Sequence, residues 1–204
     1  MPALAITGSI GSGKSRVLNL LSNSLEGSTQ KITTFSADKE NSRLLECDPE
    51  VKQLIFTQLG VSCYQSNGKP DRTHLFELIS SDPNAKTILE QILHPRLENL
   101  WKPLAEEYRS KRNEFFVAEI PLVYEKGLEQ FFDKILVVGC SDSVRRERLQ
   151  RDRSLTSVEA SRWMKMQYSQ HEKISRADHL LWNDGADQSL AMQIQQLIAL
   201  FPLS

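Results

Sequence analysis

Cysteine is scarce in this chain, and its placement builds no framework. Cys47, Cys63 and Cys140 are odd in number and far apart, with no CxxC or Cys/His ligand spacing. That pattern argues against both a disulfide lattice and a zinc site, and it fits reduced thiols in a cytoplasmic protein. Long apolar runs are also missing: none approaches 18 residues, so no membrane span is expected. The amino terminus shows no basic stretch followed by an apolar one, so no secretory leader is expected. There is no surplus of positive charge either. Twenty-five Lys and Arg face 26 Asp and Glu, for a net charge of -1. A general nucleic-acid binder would carry a basic excess; a small anionic ligand held by local arginines remains compatible. No internal repeat or low-complexity tract is present. At 204 residues with 40% hydrophobic content, one compact domain with a smaller lobe is expected.

What the chain does have comes early. Gly8-Ser9-Ile10-Gly11-Ser12-Gly13-Lys14-Ser15 fits the phosphate-loop pattern of Gly, four residues, then Gly-Lys-Ser. The apolar run Leu4-Ala5-Ile6-Thr7 before it reads as a buried parallel strand. Val17, Leu18, Leu20, Leu21 and Leu25 after it lie on one face of a helix. Glycines at such a turn let successive N–H groups converge on phosphate oxygens, and the helix dipole adds positive potential there. Lys14 is placed to reach the β- and γ-phosphates, and the Ser15 hydroxyl to hold Mg²⁺. The motif assigns ATP-type binding to Gly8, Gly11, Ser12, Gly13, Lys14 and Ser15.

Further along, Lys31–Phe35 reads as a second strand running into Ser36-Ala37-Asp38. Ligands of open parallel sheets sit beyond the carboxyl ends of strands, so Asp38 is a site candidate, with helix N-capping as the plainer role. Residues 40–112 read as a helical lobe inserted between two strands, a natural acceptor site. Within it Asp48-Pro49 opens a helix, Asp71 caps another, and Pro95 is expected to break the helical run at His94. Arg72 and His94 are candidate contacts to an anionic or polar substrate group. Strands are expected at Phe115–Ile120, Lys134–Gly139 and Ala177–Trp182. Glu119 stands at a strand end, where phosphate-loop proteins place a Mg²⁺-directed carboxylate. Residues 140–170 read as an arginine-rich lid, with Arg145, Arg146, Arg148, Arg151 and Arg153 before the capping box Thr156–Glu159 and a second helix over 157–173. His171 and His179 have no ligand-spaced partners and receive no chemistry.

Five strands alternating with helices give a doubly wound α/β fold of the phosphate-loop type. The Asn-Lys-x-Asp motif by which GTPase switches read their base is absent, so a small-molecule kinase is the stronger reading. The ordered set Ala37-Asp38, Asp71-Arg72, His94-Pro95, Pro121-Leu122-Val123-Tyr124-Glu125, Gln150-Arg151-Asp152, Gln167, Glu172-Lys173, Ala177-Asp178 and Asn183-x-Gly185 resembles the dephospho-coenzyme A kinase family almost end to end. That resemblance implies ATP and Mg²⁺ as cofactors and dephospho-coenzyme A as small-molecule substrate, phosphorylated on its ribose 3′-hydroxyl. No nucleic-acid, membrane or obligatory protein partner is implied. It places Ser36, Asp38, Arg72, His94, Pro121 and Leu122 at the acceptor, Arg16, Asn183 and Gly185 at the nucleotide, and Lys14, Asp38 and Arg151 in catalysis. Three departures stand out. Ser36 occupies the position where the family commonly has an Asp proposed to activate the acceptor, so that role passes to Asp38 or is not needed. Arg16 follows Ser15 where Thr is common. A lid that differs by one residue in length leaves Arg151 and Arg153 as alternatives.

Lys14→Ala is expected to abolish phosphoryl transfer while leaving the fold intact by circular dichroism. Turnover at the wild-type rate would remove Lys14 from the site.

Overall fold

A computed structural model describes residues 3–26, 31–111, 114–153 and 155–200, with the Arg153 side chain excepted. Arg153 as a lid arginine therefore lies outside the described residues. The chain divides into two compact units: Met1–Ser36 with Pro103–Ser204, and Ala37–Lys102.

The first unit begins with β1 (Ala3–Thr7), fully buried, followed by the phosphate loop and α1 (Lys14–Leu25). β2 (Lys31–Ser36) closes its amino-terminal part. The unit resumes with β3 (Glu114–Glu119) and β4 (Lys134–Gly139), each burying five consecutive residues, as strands covered on both faces must. Together with β5 (His179–Trp182) they form one all-parallel sheet in the order β2-β3-β1-β4-β5. β1 is central, so the loop that leaves it sits where ligands of such sheets bind. Val17, Leu18 and Leu21 of α1 and Leu190, Ile194 and Leu197 of the final helix join Leu4, Ile6, Val117, Leu136 and Val138 in the main core.

Two aspartates pin strand ends. Asp133 Oδ2 accepts from Ala3 N at 3.0 Å. Asp178 accepts from Ile135 N at 2.8 Å and from Lys134 Nζ at 2.7 Å, while its own N–H bonds Ile135 O at 3.1 Å. β5 starts two residues later than its apolar run suggests because Ala177-Asp178 is spent on this anchor.

The second unit is helical. α2 (Ala37–Cys47) follows β2 without a linker, so Asp38 is the second residue of a helix, neither a loop residue nor an N-cap. α3 (Pro49–Gln58) is capped by Asp48, which accepts from Glu50 N and Val51 N. α4 (Arg72–Ser81) is capped by Asp71 on His74 N. Tyr64, pushed up to about 12 by burial, donates to Leu45 O at 2.9 Å. α5 runs unbroken from Pro83 to Tyr108, so the expected interruption at His94 does not occur. Pro95 removes one N–H, but Ile92, Leu93, Leu97 and Trp101 are buried along the helix, and the Arg96 guanidinium donates to Ile92 O at 2.8 Å. Packing outweighs the local preference.

Beyond β4, α6 spans Asp142–Arg153 and α7 spans Ser157–Lys165, the latter opened by the Thr156–Glu159 capping box. The single helix expected over 157–173 is two: α8 (Gln170–Ser175) restarts at Ser169, whose side chain accepts from Glu172 N. The second cap, a Ser-x-x-Glu spacing, ends the continuity. α9 (Asp187–Ala199) closes the chain's described elements.

Burial disfavours the Asp178 carboxylate, but the Lys134 ammonium and the Ile135 N–H outweigh it and hold its pKa below the usual range. A depressed carboxylate pKa contributes stability that is present above the ordinary value of about 3.9 and lost as pH falls through the lower folded value. Urea unfolding between pH 6 and pH 2.5 should therefore show a smaller acid loss in Asp178→Asn than in wild type. Parallel curves would remove this carboxylate from the acid transition.

Candidate active site

The loop between β1 and α1 is held in shape by an unusually complete set of donors. Lys14, only 7% exposed, donates from Nζ to the carbonyls of Gly8 at 3.1 Å and Ser9 at 3.3 Å. Ile10 O takes Arg145 Nε at 3.1 Å. Gly11 O and Ser12 O each take Arg148 Nη1 at 3.3 Å, and Ser12 O also takes Asn183 Nδ2 at 2.8 Å. Every carbonyl from Gly8 to Ser12 thus accepts from a side chain. Ile10 N–H donates to Gln167 and Ser12 N–H to Ser9 O; the loop's other N–H groups and the start of α1 then form the edge available to an anion.

Two glycines are required by this packing. At Gly13, φ is 88°, and a Cβ would lie 2.2 Å from Asn183 Nδ2. At Gly8 a Cβ would lie 2.4 Å from Val138 O. Ser9 and Ser12 bury hydroxyls that find no protein partner among the described residues. That polar capacity suits a phosphate group.

The sheet's register builds a second constellation beside the loop. Ser36 of β2 and Ile6 of β1 both lie level with Glu119 of β3. The Glu119 carboxylate is fully buried. Its Oε1 accepts from Ser15 Oγ at 2.6 Å and its Oε2 from Ser36 Oγ at 2.7 Å. Hydroxyl and carboxylate oxygens so placed form a hard-donor set that suits Mg²⁺. Among the described residues, no cluster of three or more His, Cys, Asp or Glu offers an alternative metal site. Pro121 and Leu122 follow directly, half-buried; Pro121 O accepts from Thr7 Oγ1 at 3.0 Å and from Lys173 Nζ at 2.8 Å.

Other expected residues fall as follows. Asn183 is buried, and besides Ser12 it meets Arg16: its Oδ1 accepts from Arg16 Nη1 at 3.3 Å. Arg16 also pairs with Asp187. Gly185 is exposed in the adjacent turn. Arg151 is exposed and paired with its neighbour Asp152 at 2.6 Å, not with the loop. Asp38 is exposed on α2; Arg72 is exposed and bound to Glu46 at 2.8 Å; His94 is half-buried within α5. These three belong to the second unit. The sequence reading gave no role to Arg145 and Arg148 individually. Their signal is their spacing to Leu149, which is buried with Ile10 in a small apolar cluster: residues 145, 148 and 149 share one helical face.

A family model described as dephospho-CoA kinase matches residues 3–189. The chain belongs to that family. Among curated relatives, the dephospho-CoA kinase of Bacillus licheniformis is 30% identical, aligned over 96% of this chain and 94% of its own length. That of Methylococcus capsulatus is 28% identical over 97% and 95%. The solved structure of TT1252 from Thermus thermophilus superposes with a TM-score of 0.73 at 29% identity, covering 98% of each chain. The dephospho-CoA kinase from Campylobacter jejuni gives 0.65 at 26%, covering 97% of this chain and 95% of its own. Shikimate kinase from Acinetobacter baumannii, at 16% identity and a TM-score of 0.54, shares the fold.

Ser36→Ala should cost about 1–3 kcal/mol, because it strips a donor from a buried carboxylate. Ser36→Asp sets a second carboxylate against Glu119, and one of the two must then hold a proton. A folded pKa raised in this way gives stability that is lost as pH rises through it. Without Mg²⁺, the Tm of Ser36→Asp should fall relative to wild type between pH 5 and pH 8. A constant difference would mean that the two side chains do not face each other.

Proposed function

We propose that this protein transfers the γ-phosphoryl group of ATP to the ribose 3′-hydroxyl of dephospho-coenzyme A, yielding coenzyme A and ADP. The observation that carries the reading is the family match along residues 3–189, joined to a phosphate loop whose carbonyls are all turned to side-chain donors. The reaction forms one P–O bond at the acceptor oxygen and breaks the bond between the γ-phosphorus and its bridging oxygen. Its transition state is loose, so positioning and charge compensation do most of the catalysis.

With that reading the residues take these roles. The loop's N–H groups and Lys14 take the phosphates, with Lys14 exchanging its bonds to Gly8 O and Ser9 O for phosphate oxygens. Ser15 and Glu119 are the residues to hold Mg²⁺, which when bound neutralises charge on the β- and γ-oxygens. Arg16, Asn183 and Gly185 lie on the nucleotide side. Ser36, Asp38, Arg72, His94, Pro121 and Leu122 serve the acceptor, with the helical segment over 40–112 as its lobe. Residues 140–170 form the lid, from which Arg151 reaches the transferred group after releasing Asp152. Because Ser36 is a hydroxyl committed to Glu119, Asp38 is the carboxylate left to assist the acceptor's proton. The pattern fits a single kinase domain working in the cytoplasm on a small molecule, without a nucleic-acid, membrane or obligatory protein partner; no helix among the described residues is long and apolar enough to cross a membrane.

The test is an ATP/Mg²⁺ assay against dephospho-coenzyme A, nucleoside monophosphates, nucleosides and shikimate. Turnover is expected with dephospho-coenzyme A and at least about a hundredfold lower kcat/KM with the others, a difference of about 2.7 kcal/mol in transition-state binding. Preference for a nucleoside monophosphate would overturn the assignment.

A further inference from the structure

We propose that Gln167 is a positioning residue for the nucleotide, acting through the backbone of Ile10. The Gln167 side-chain carbonyl accepts from Ile10 N at 2.9 Å, and Arg145 Nε donates to the same residue's carbonyl at 3.1 Å. Both polar groups of one loop residue are therefore gripped by side chains, one from α6 and one from the link between α7 and α8. The Ser9–Ile10 peptide plane is held at its N–H by Gln167 and at its carbonyl by Lys14 Nζ at 3.3 Å and Ser12 N at 3.2 Å, so it cannot rotate without breaking these bonds. The Ile10 side chain is held too, in the cluster with Leu149 and Ala160. Ile10 directly precedes Gly11, where φ is 77° and the loop turns. Freeing the Ser9–Ile10 peptide loosens the backbone that leads into this glycine turn and the amides beyond it.

The grip is itself anchored. Gln167 lies in the short link between α7 and α8, and the next residue, Tyr168, donates its N–H to Glu125 Oε1 at 3.0 Å. The same oxygen takes Lys173 Nζ at 2.8 Å, on a lysine with no exposed side-chain surface. Lys173 also donates to Pro121 O at 2.8 Å. A buried ion pair under the β3 exit thus fixes the link that presents Gln167. The region that reads as a lid is, at this end, a fixed brace for the phosphate loop.

A preorganised set of amides stabilises charge better than one that must reorient on binding. Loss of the brace should therefore weaken the nucleotide and leave the acceptor alone. The kinetic part of the test rests on the kinase reading above; the binding part needs only that the loop takes a nucleotide.

Gln167→Met keeps side-chain length and removes the acceptor, whereas Gln167→Glu keeps an acceptor for Ile10 N. Binding of ADP with Mg²⁺, measured by titration calorimetry well below each variant's Tm, is expected to weaken about tenfold in Gln167→Met, equivalent to about 1.4 kcal/mol. Gln167→Glu should recover most of that loss. KM should rise for ATP and stay within about twofold for dephospho-coenzyme A. Should Gln167→Met fail to fold, Gln167→Asn, one methylene too short to reach, replaces it. ADP affinity within twofold of wild type in the acceptor-less variant overturns the proposal, as does equal weakening in the Met and Glu variants. A lowered Tm with unchanged ADP affinity likewise assigns Gln167 to stability alone. Wild-type protein that binds ADP but phosphorylates no dephospho-coenzyme A would refute the activity, and the ADP measurements would still decide the role of Gln167.

Discussion

A phosphate loop can present its N–H groups in one direction only if its carbonyls are accepted elsewhere, since buried peptide groups go unpaired at a cost of about 1–3 kcal/mol each. That requirement organises the first unit of this protein. Five consecutive carbonyls need donors, and Lys14, Arg145, Arg148 and Asn183 supply them. The donors come from α1, α6 and the turn after β5, so the elements flanking β1 are committed to the loop before any ligand arrives. Arginine is apt here because one guanidinium can serve several acceptors in fixed geometry. Arg148 does so, bonding Gly11 O, Ser12 O and, through Nη2 at 2.8 Å, Asn183 O.

The carboxyl ends of the strands complete the arrangement. Parallel strands in register bring Ser36 and Glu119 side by side, and Ser15 enters from the first turn of α1. Burial of Glu119 is tolerated because each of its oxygens accepts a hydroxyl. The same two bonds tie the Glu119 carboxylate to the first turn of α1 on one side and to the end of β2 on the other. The serine at 36 gives this carboxylate a donor on its β2 side.

The phosphate loop, the parallel sheet and the family were legible in the sequence because they rest on local or sharply patterned signals. Gly8–Ser15 is contiguous, and strands buried on both faces read as apolar runs. The single helix through Pro95 was not legible, since burial of Leu93, Leu97 and Trp101 overrides a local signal that is real. The split between α7 and α8 hides behind a cap at Ser169 that competes with continuous helical composition. Among five arginines in one stretch, composition cannot say which face the loop; only Leu149, buried against Ile10, orients α6 so that Arg145 and Arg148 point inward and Arg151 outward. Gln167 acts through a tertiary hydrogen bond to a residue 157 positions away, beyond any window of sequence periodicity.

The strand order also dictates when the site can exist during folding. β1 pairs with β3 and β4, whose residues begin more than 100 positions further on. The strand that carries the phosphate loop has no sheet neighbour until Glu114–Glu119 has emerged. Closing so long a loop before any contact rewards it slows folding. β2, nearer in sequence, pairs with β3 rather than β1, so it cannot shelter the first strand in the interval. A growing chain therefore holds this apolar strand and its glycine-rich turn without sheet partners until β3 and β4 have been made, more than 100 residues later.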